Sequence, residues 1–108
     1  MADSRIAGLA KALENSVTTV PGSTNLELRR KIFERAASQV RGQRGPDLAD
    51  LDQFVDLVAL EPHRADLAPL LGRGLSEDAV FEVVVTAAVG AGYAQVESAL
   101  AALEKVKR

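Results

Sequence analysis

The chain is 108 residues long, enough for one domain with a real core and short enough that self-association would add to its stability. Its 13 basic and 15 acidic residues leave a formal charge of -2, so no global field draws it to nucleic acid or to an anionic membrane. Cysteine is absent, which excludes disulfides, thiolate metal sites and all thiol chemistry.

Three phenylalanines, one tyrosine and no tryptophan leave little for base stacking or an aromatic ligand cage, and the core must come from Leu, Val and Ala. Arg5 is not followed by a continuous apolar run, because Lys11 and Glu14 interrupt it. No signal peptide is expected on that ground, and a cytoplasmic location is.

In chain order, Ile6, Leu9, Ala10, Leu13 and Val17 recur at helical spacing and predict a first helix from about Asp3 to Ser16, closed by Thr18-Thr19 and Pro21-Gly22. Residues 1–22 thus read as a helix and linker, and 23–108 as the core of a single helical domain. Thr24-Asn25-Leu26-Glu27 has the form of a capping box, with Thr24 and Glu27 answering each other's free backbone donors at the start of a second helix. Leu28, Ile32, Phe33, Ala36, Ala37 and Val40 give that helix an apolar face. Arg29, Arg30, Lys31 and Arg35 crowd the other face, with Arg41 and Arg44 beyond; no aromatics interleave them, so a solvated or ion-paired surface is preferred to a nucleic-acid site.

Gly42 to Pro46 reads as a turn, with Pro46 near the first position of a third helix whose buried stripe is Leu48, Leu51, Phe54 or Val55, and Val58. Asp47, Asp50, Asp52 and Asp56 oppose the basic helix in charge, and nothing in their spacing makes them converge as a metal site. Pro62 should stop or kink this helix. A short helical turn from Ala65 to Leu71 then leads through Gly72 and Gly74 into the last segment.

That segment, Ser76 to Leu103, is predicted to be one long helix: Ser76 can cap it, and Glu77 and Asp78 place negative charge in its positive first turn. Lys105, Lys107 and Arg108 suit its negative end. One apolar stripe runs through Val80, Val84, Ala87 or Ala88, and Ala91. A second runs through Phe81, Val85, Ala88, Gly92, Val96, Ala99 and Leu103, so the middle of the helix needs cover on several sides. Gly90 and Gly92 each cost about 1 kcal/mol against alanine within a helix, which points to close packing of another helix there, partly from a second subunit. Gly90, Gly92, Val85 and Val89 are the candidate packing residues of a homo-oligomer.

Two other readings of the segment fail on spacing. A dinucleotide-binding turn would need a third glycine or alanine where Gln95 stands. A membrane span would need about 20 apolar residues, whereas Glu82 interrupts a run that ends at Ala94.

The stretch Leu70 to Gly92, with Gly74-Leu75-Ser76-Glu77-Asp78-Ala79-Val80-Phe81-Glu82-Val83 at its centre, resembles the carboxymuconolactone decarboxylase-like, or alkylhydroperoxidase-like, family. Leu28-Arg29-Arg30-Lys31-Ile32-Phe33 is similar to that family too, and the resemblance spans about Leu26 to Leu103. It implies an all-α domain of about five helices, alkylhydroperoxidase-like, that assembles into dimers, trimers or hexamers. The family's redox members carry Cys-x-x-Cys and a following histidine; on this chain those positions fall on Ala59, Pro62 and Asp66, and the upstream acidic relay near Asp47. The resemblance therefore implies the fold without the peroxidase or disulfide-reductase centre.

Two titratable residues carry the remaining chemistry. Glu82, desolvated in an apolar helix, could act as a general acid or base, though an ion pair with an arginine of the second helix is the preferred account. His63 is the one imidazole and follows Pro62, where a surface position is preferred to a proton shuttle. The leading expectation is an oligomeric helical protein with a binding or assembly role, needing no cofactor and no metal. The alternative is a cofactor-free decarboxylase or isomerase acting on a small organic acid or lactone, with Glu82 and His63 as catalytic groups and an arginine such as Arg29 or Arg30 binding the substrate.

Overall fold

The computed structural model describes Gly8, Lys11, Ala12, Glu14, Asn15, Gly22 and residues 24–107. Among them the chain is all-α: helices α1 (Leu26–Arg41), α2 (Asp52–Leu60), α3 (Ala68–Gly72) and α4 (Glu77–Lys107), with 3-10 turns at Ala49–Leu51 and Pro62–Arg64. The helix expected from Asp3 to Ser16 lies largely outside the described residues; Gly8, Lys11, Ala12, Glu14 and Asn15 within it are helical.

Local chemistry explains where each element starts and stops. Asn25 caps α1, its side chain accepting from the Leu28 N–H at 2.7 Å, one residue later than the expected Thr24. Gly42 ends α1 at φ +73°, and the Gln43 N–H returns to the Ser38 carbonyl at 2.8 Å. Pro46 does not begin the next helix. A 3-10 turn intervenes, opened by Asp47 Oδ1 accepting from the Ala49 N–H at 2.9 Å, and α2 starts only at Asp52. Leu60 closes α2 two residues before Pro62, which opens the following 3-10 turn. Gly74 takes φ +89° and Ser76 Oγ accepts from the Ala79 N–H at 3.1 Å, so α4 begins where the cap residues place it.

The core lies where α1 and α2 meet one face of α4. Ile32 and Ala36 of α1, Val55 and Val58 of α2, and Val83 and Ala87 of α4 are buried together, with Leu70 of α3 closing one end. Phe33 meets Tyr93 with ring centroids 5.5 Å apart, a tilted pair contributing about 0.5–1.5 kcal/mol. Gly90 marks the closest approach: a Cβ there would lie 2.5 Å from the Phe33 carbonyl oxygen, so the helix crossing Gly90 is the chain's own α1. A Cβ on Gly92 would meet nothing within 4 Å.

The charges of α1 and α2 interlock as their opposite signs anticipate. The Arg35 guanidinium donates twice to Asp56 at 2.8 Å, lies 3.2 Å from Asp52, and also donates to the Pro46 carbonyl at 2.9 Å. The Asp56 bond raises the Arg35 pKa still further above its ordinary value.

Candidate functional site

Glu82, in the second turn of α4, is held from three directions. Its Oε1 accepts from the Thr24 N–H at 2.8 Å and from the Thr24 hydroxyl at 2.7 Å. Arg29, 4% exposed, brings its Nε to 4.0 Å from the same oxygen and its Nη2 to 3.5 Å from the Thr24 carbonyl. On the remaining side the backbone closes in, since a Cβ on Gly22 would lie 2.6 Å from Glu82 Oε2. The cluster ties the start of α1 to α4. Thr24 is free for this role because the neighbouring Asn25 serves as the cap.

The other candidates lie elsewhere. Arg30 is exposed, 3.7 Å from Glu27 on its own helix, so of the two candidate arginines only Arg29 is buried beside Glu82. His63 is exposed in the 3-10 turn after α2. The structure brings Glu82 and Arg29 together, and leaves Arg30 and His63 apart from them. Among the described residues no three acidic or histidine side chains form a group able to hold a metal.

A groove of about 460 Å³ opens beside the Phe33–Tyr93 pair, lined also by Lys11, Ser38, Arg41 and Arg44. Sequence reasoning missed it, because its wall combines Lys11 and Glu14, α1, the turn after it and Tyr93 of α4. Its charges largely cancel: Lys11 lies 3.1 Å from Glu14, Arg41 pairs with Glu97, and Glu34 lines the same wall. An anion would meet little net attraction there.

The outer face of α4 is the other feature with functional content. Its buried and exposed apolar residues are offset by nine positions, about two and a half turns, which puts them on opposite faces. Val83 is buried and Gly92 faces away, as do Ala87 and Val96, Gly90 and Ala99, and Ala94 and Leu103. Phe81 is 67% exposed, Val96 38%, Leu103 44% and Val106 82%. Val85 and Gly92 within the stripe are half-buried, as is Val89 on its flank. The second apolar stripe is thus largely uncovered, and Val106 continues it beyond the residues named from sequence. By length and composition α4 could cross a membrane, but 44% of its most apolar stretch is buried inside the fold. No family model, curated protein or solved structure matches the chain.

Proposed function

We propose that this chain is a non-catalytic helical assembly protein, which works by presenting the outer face of α4 to another polypeptide. The observation that carries the reading is the uncovered stripe from Phe81 to Val106. Isolated apolar residues on a surface are ordinary, whereas a continuous row on one helix face is the form of a binding seam. An acid–base enzyme would need Glu82 and His63 within reach of one substrate. Glu82 is already engaged by Thr24, and His63 stands in solvent on another element.

The same reading takes the fold as alkylhydroperoxidase-like, with residues 3–16 as the fifth helix and the chain as a thiol-free counterpart of the carboxymuconolactone decarboxylase-like family. Helical backbone at Gly8, Lys11, Ala12, Glu14 and Asn15 supports the fifth helix, and the Gly74–Ser76 cap with its acidic first turn supports the resemblance. Sedimentation velocity over a hundredfold dilution is the test. A mass above that of one chain, falling on dilution or on Leu103→Lys, is the expected outcome; a monomer at every concentration removes the reading.

A further inference from the structure

Resting on that assembly reading, we infer that the partner of α4 is a second copy of α4, lying antiparallel, with the two-fold axis passing at Gly92. From Phe81 to Leu103 the stripe is symmetric in position about this residue; Val106 lies beyond the symmetric part, its counterpart fourteen positions before Gly92 being Asp78. Ala88 and Val96 lie four positions to either side of Gly92, Val85 and Ala99 seven, and Phe81 and Leu103 eleven. A seam that reads alike in both directions from its centre is self-complementary under a two-fold axis, the symmetry of most homodimers. Steps of three and four residues keep it on one face of the helix throughout.

Size matches at the centre and at the ends, while the intervening pairs set Ala88 against the partner subunit's Val96 and Val85 against the partner subunit's Ala99, small against larger. Gly92 has open space above it, and Ala88 stands one turn before it, so the middle of the seam is its lowest part and two helices can approach closely there. Phe81 and Leu103 are the bulky residues toward its ends. Antiparallel pairing sets Phe81 of one protomer against the partner subunit's Leu103, large against large, and Gly92 against the partner subunit's Gly92, small against small.

Charge chooses the direction. The first turn of α4 carries Glu77 and Asp78, and its last turn Lys105 and Lys107. An antiparallel pair puts each acidic end beside the basic end of the other helix, with Asp78 and the partner subunit's Lys107 on the same flank of the seam. Parallel pairing would set acid beside acid and base beside base. The end-to-end dipoles of the two helices also oppose when they run antiparallel.

The absence of native cysteine makes the test clean. Phe81→Cys and Leu103→Cys are made separately, each at an exposed position, and each is treated with a short bismaleimide crosslinker alone and after mixing. Covalent dimer should form in the mixture and be lost when either variant is treated alone. If each variant instead crosslinks to itself and mixing adds nothing, the helices run parallel; the inference fails while assembly through α4 survives. A dimer by sedimentation that crosslinks in no combination overturns the inference in the same way, by placing the contact on another face. A chain that is monomeric by sedimentation fails both, and flotation of that monomer with lipid vesicles would assign the stripe to a membrane surface.

Discussion

A carboxylate that accepts from a backbone amide and a hydroxyl at once, as Glu82 does from Thr24, is engaged by the fold before any substrate arrives. Glu82→Ala should lower the unfolding free energy by about 1–3 kcal/mol and speed hydrogen exchange at the Thr24 amide, because it strips acceptors from donors in a half-buried site. A side chain kept for catalysis would give the opposite result, a variant as stable as the parent or more so. Urea melts of the two proteins at neutral pH decide it. Asp47 provides the pH-dependent counterpart. The Ala49 N–H, first among its causes, and the charges of Arg35 and Arg44 hold its carboxyl below the ordinary value of 3.8. With the folded value below the unfolded one, the unfolded chain takes up the proton first as pH falls. Its contribution is therefore complete above the unfolded value and is lost as pH drops through the folded one. Asp47→Asn keeps an acceptor for Ala49 but carries no titrating charge, so it should lower the neutral melt slightly and flatten the acid limb of the stability profile, the two proteins converging at the lowest pH.

At the scale of the element, α4 carries two glycines two residues apart with opposite surroundings. A methyl group on Gly90 would strike the α1 backbone at Phe33, and one on Gly92 would enter open space. Gly90→Ala should destabilise the chain by about 1–3 kcal/mol, since backbone cannot swing aside as a side chain can. Gly92→Ala should instead add up to about 1 kcal/mol of helix propensity when melts are run at dilutions where the protein is monomeric. Equal effects at the two positions would remove the close approach at Phe33. Sequence could name both glycines as helix residues with a packing cost, but not which of them faces α1. That depends on where α1 crosses, a contact between segments 57 residues apart in the numbering of Phe33 and Gly90. The caps were legible for the converse reason: Gly74, Ser76 and the acidic residues after it complete their chemistry within one turn. The cap of α1 shifted by one residue because Thr24 spends its donors on Glu82, a partner no local motif discloses.

For the whole molecule, the all-α class and the apolar faces of α1, α2 and α4 followed from periodicity, while the groove beside Tyr93 did not. Its wall joins four parts of the chain whose residues have no common spacing. The molecule extends 52 Å in its longest direction, and α4 alone accounts for about 46 Å at 1.5 Å per residue. Past Ala94 none of its described residues is buried, although the outer stripe continues through Val96 and Leu103 to Val106. One extra residue inserted just after Ala94 would leave every core contact of α4 in place and turn all that follows by about 100°. Such a chain would fold normally with its seam broken across the middle. The same insertion ahead of Val83 would turn the inner face instead and spoil the core. Changes in helix length are therefore folding mutations on one side of Ala94 and recognition mutations on the other, so drift in length can reach this protein's choice of partner without passing through its stability.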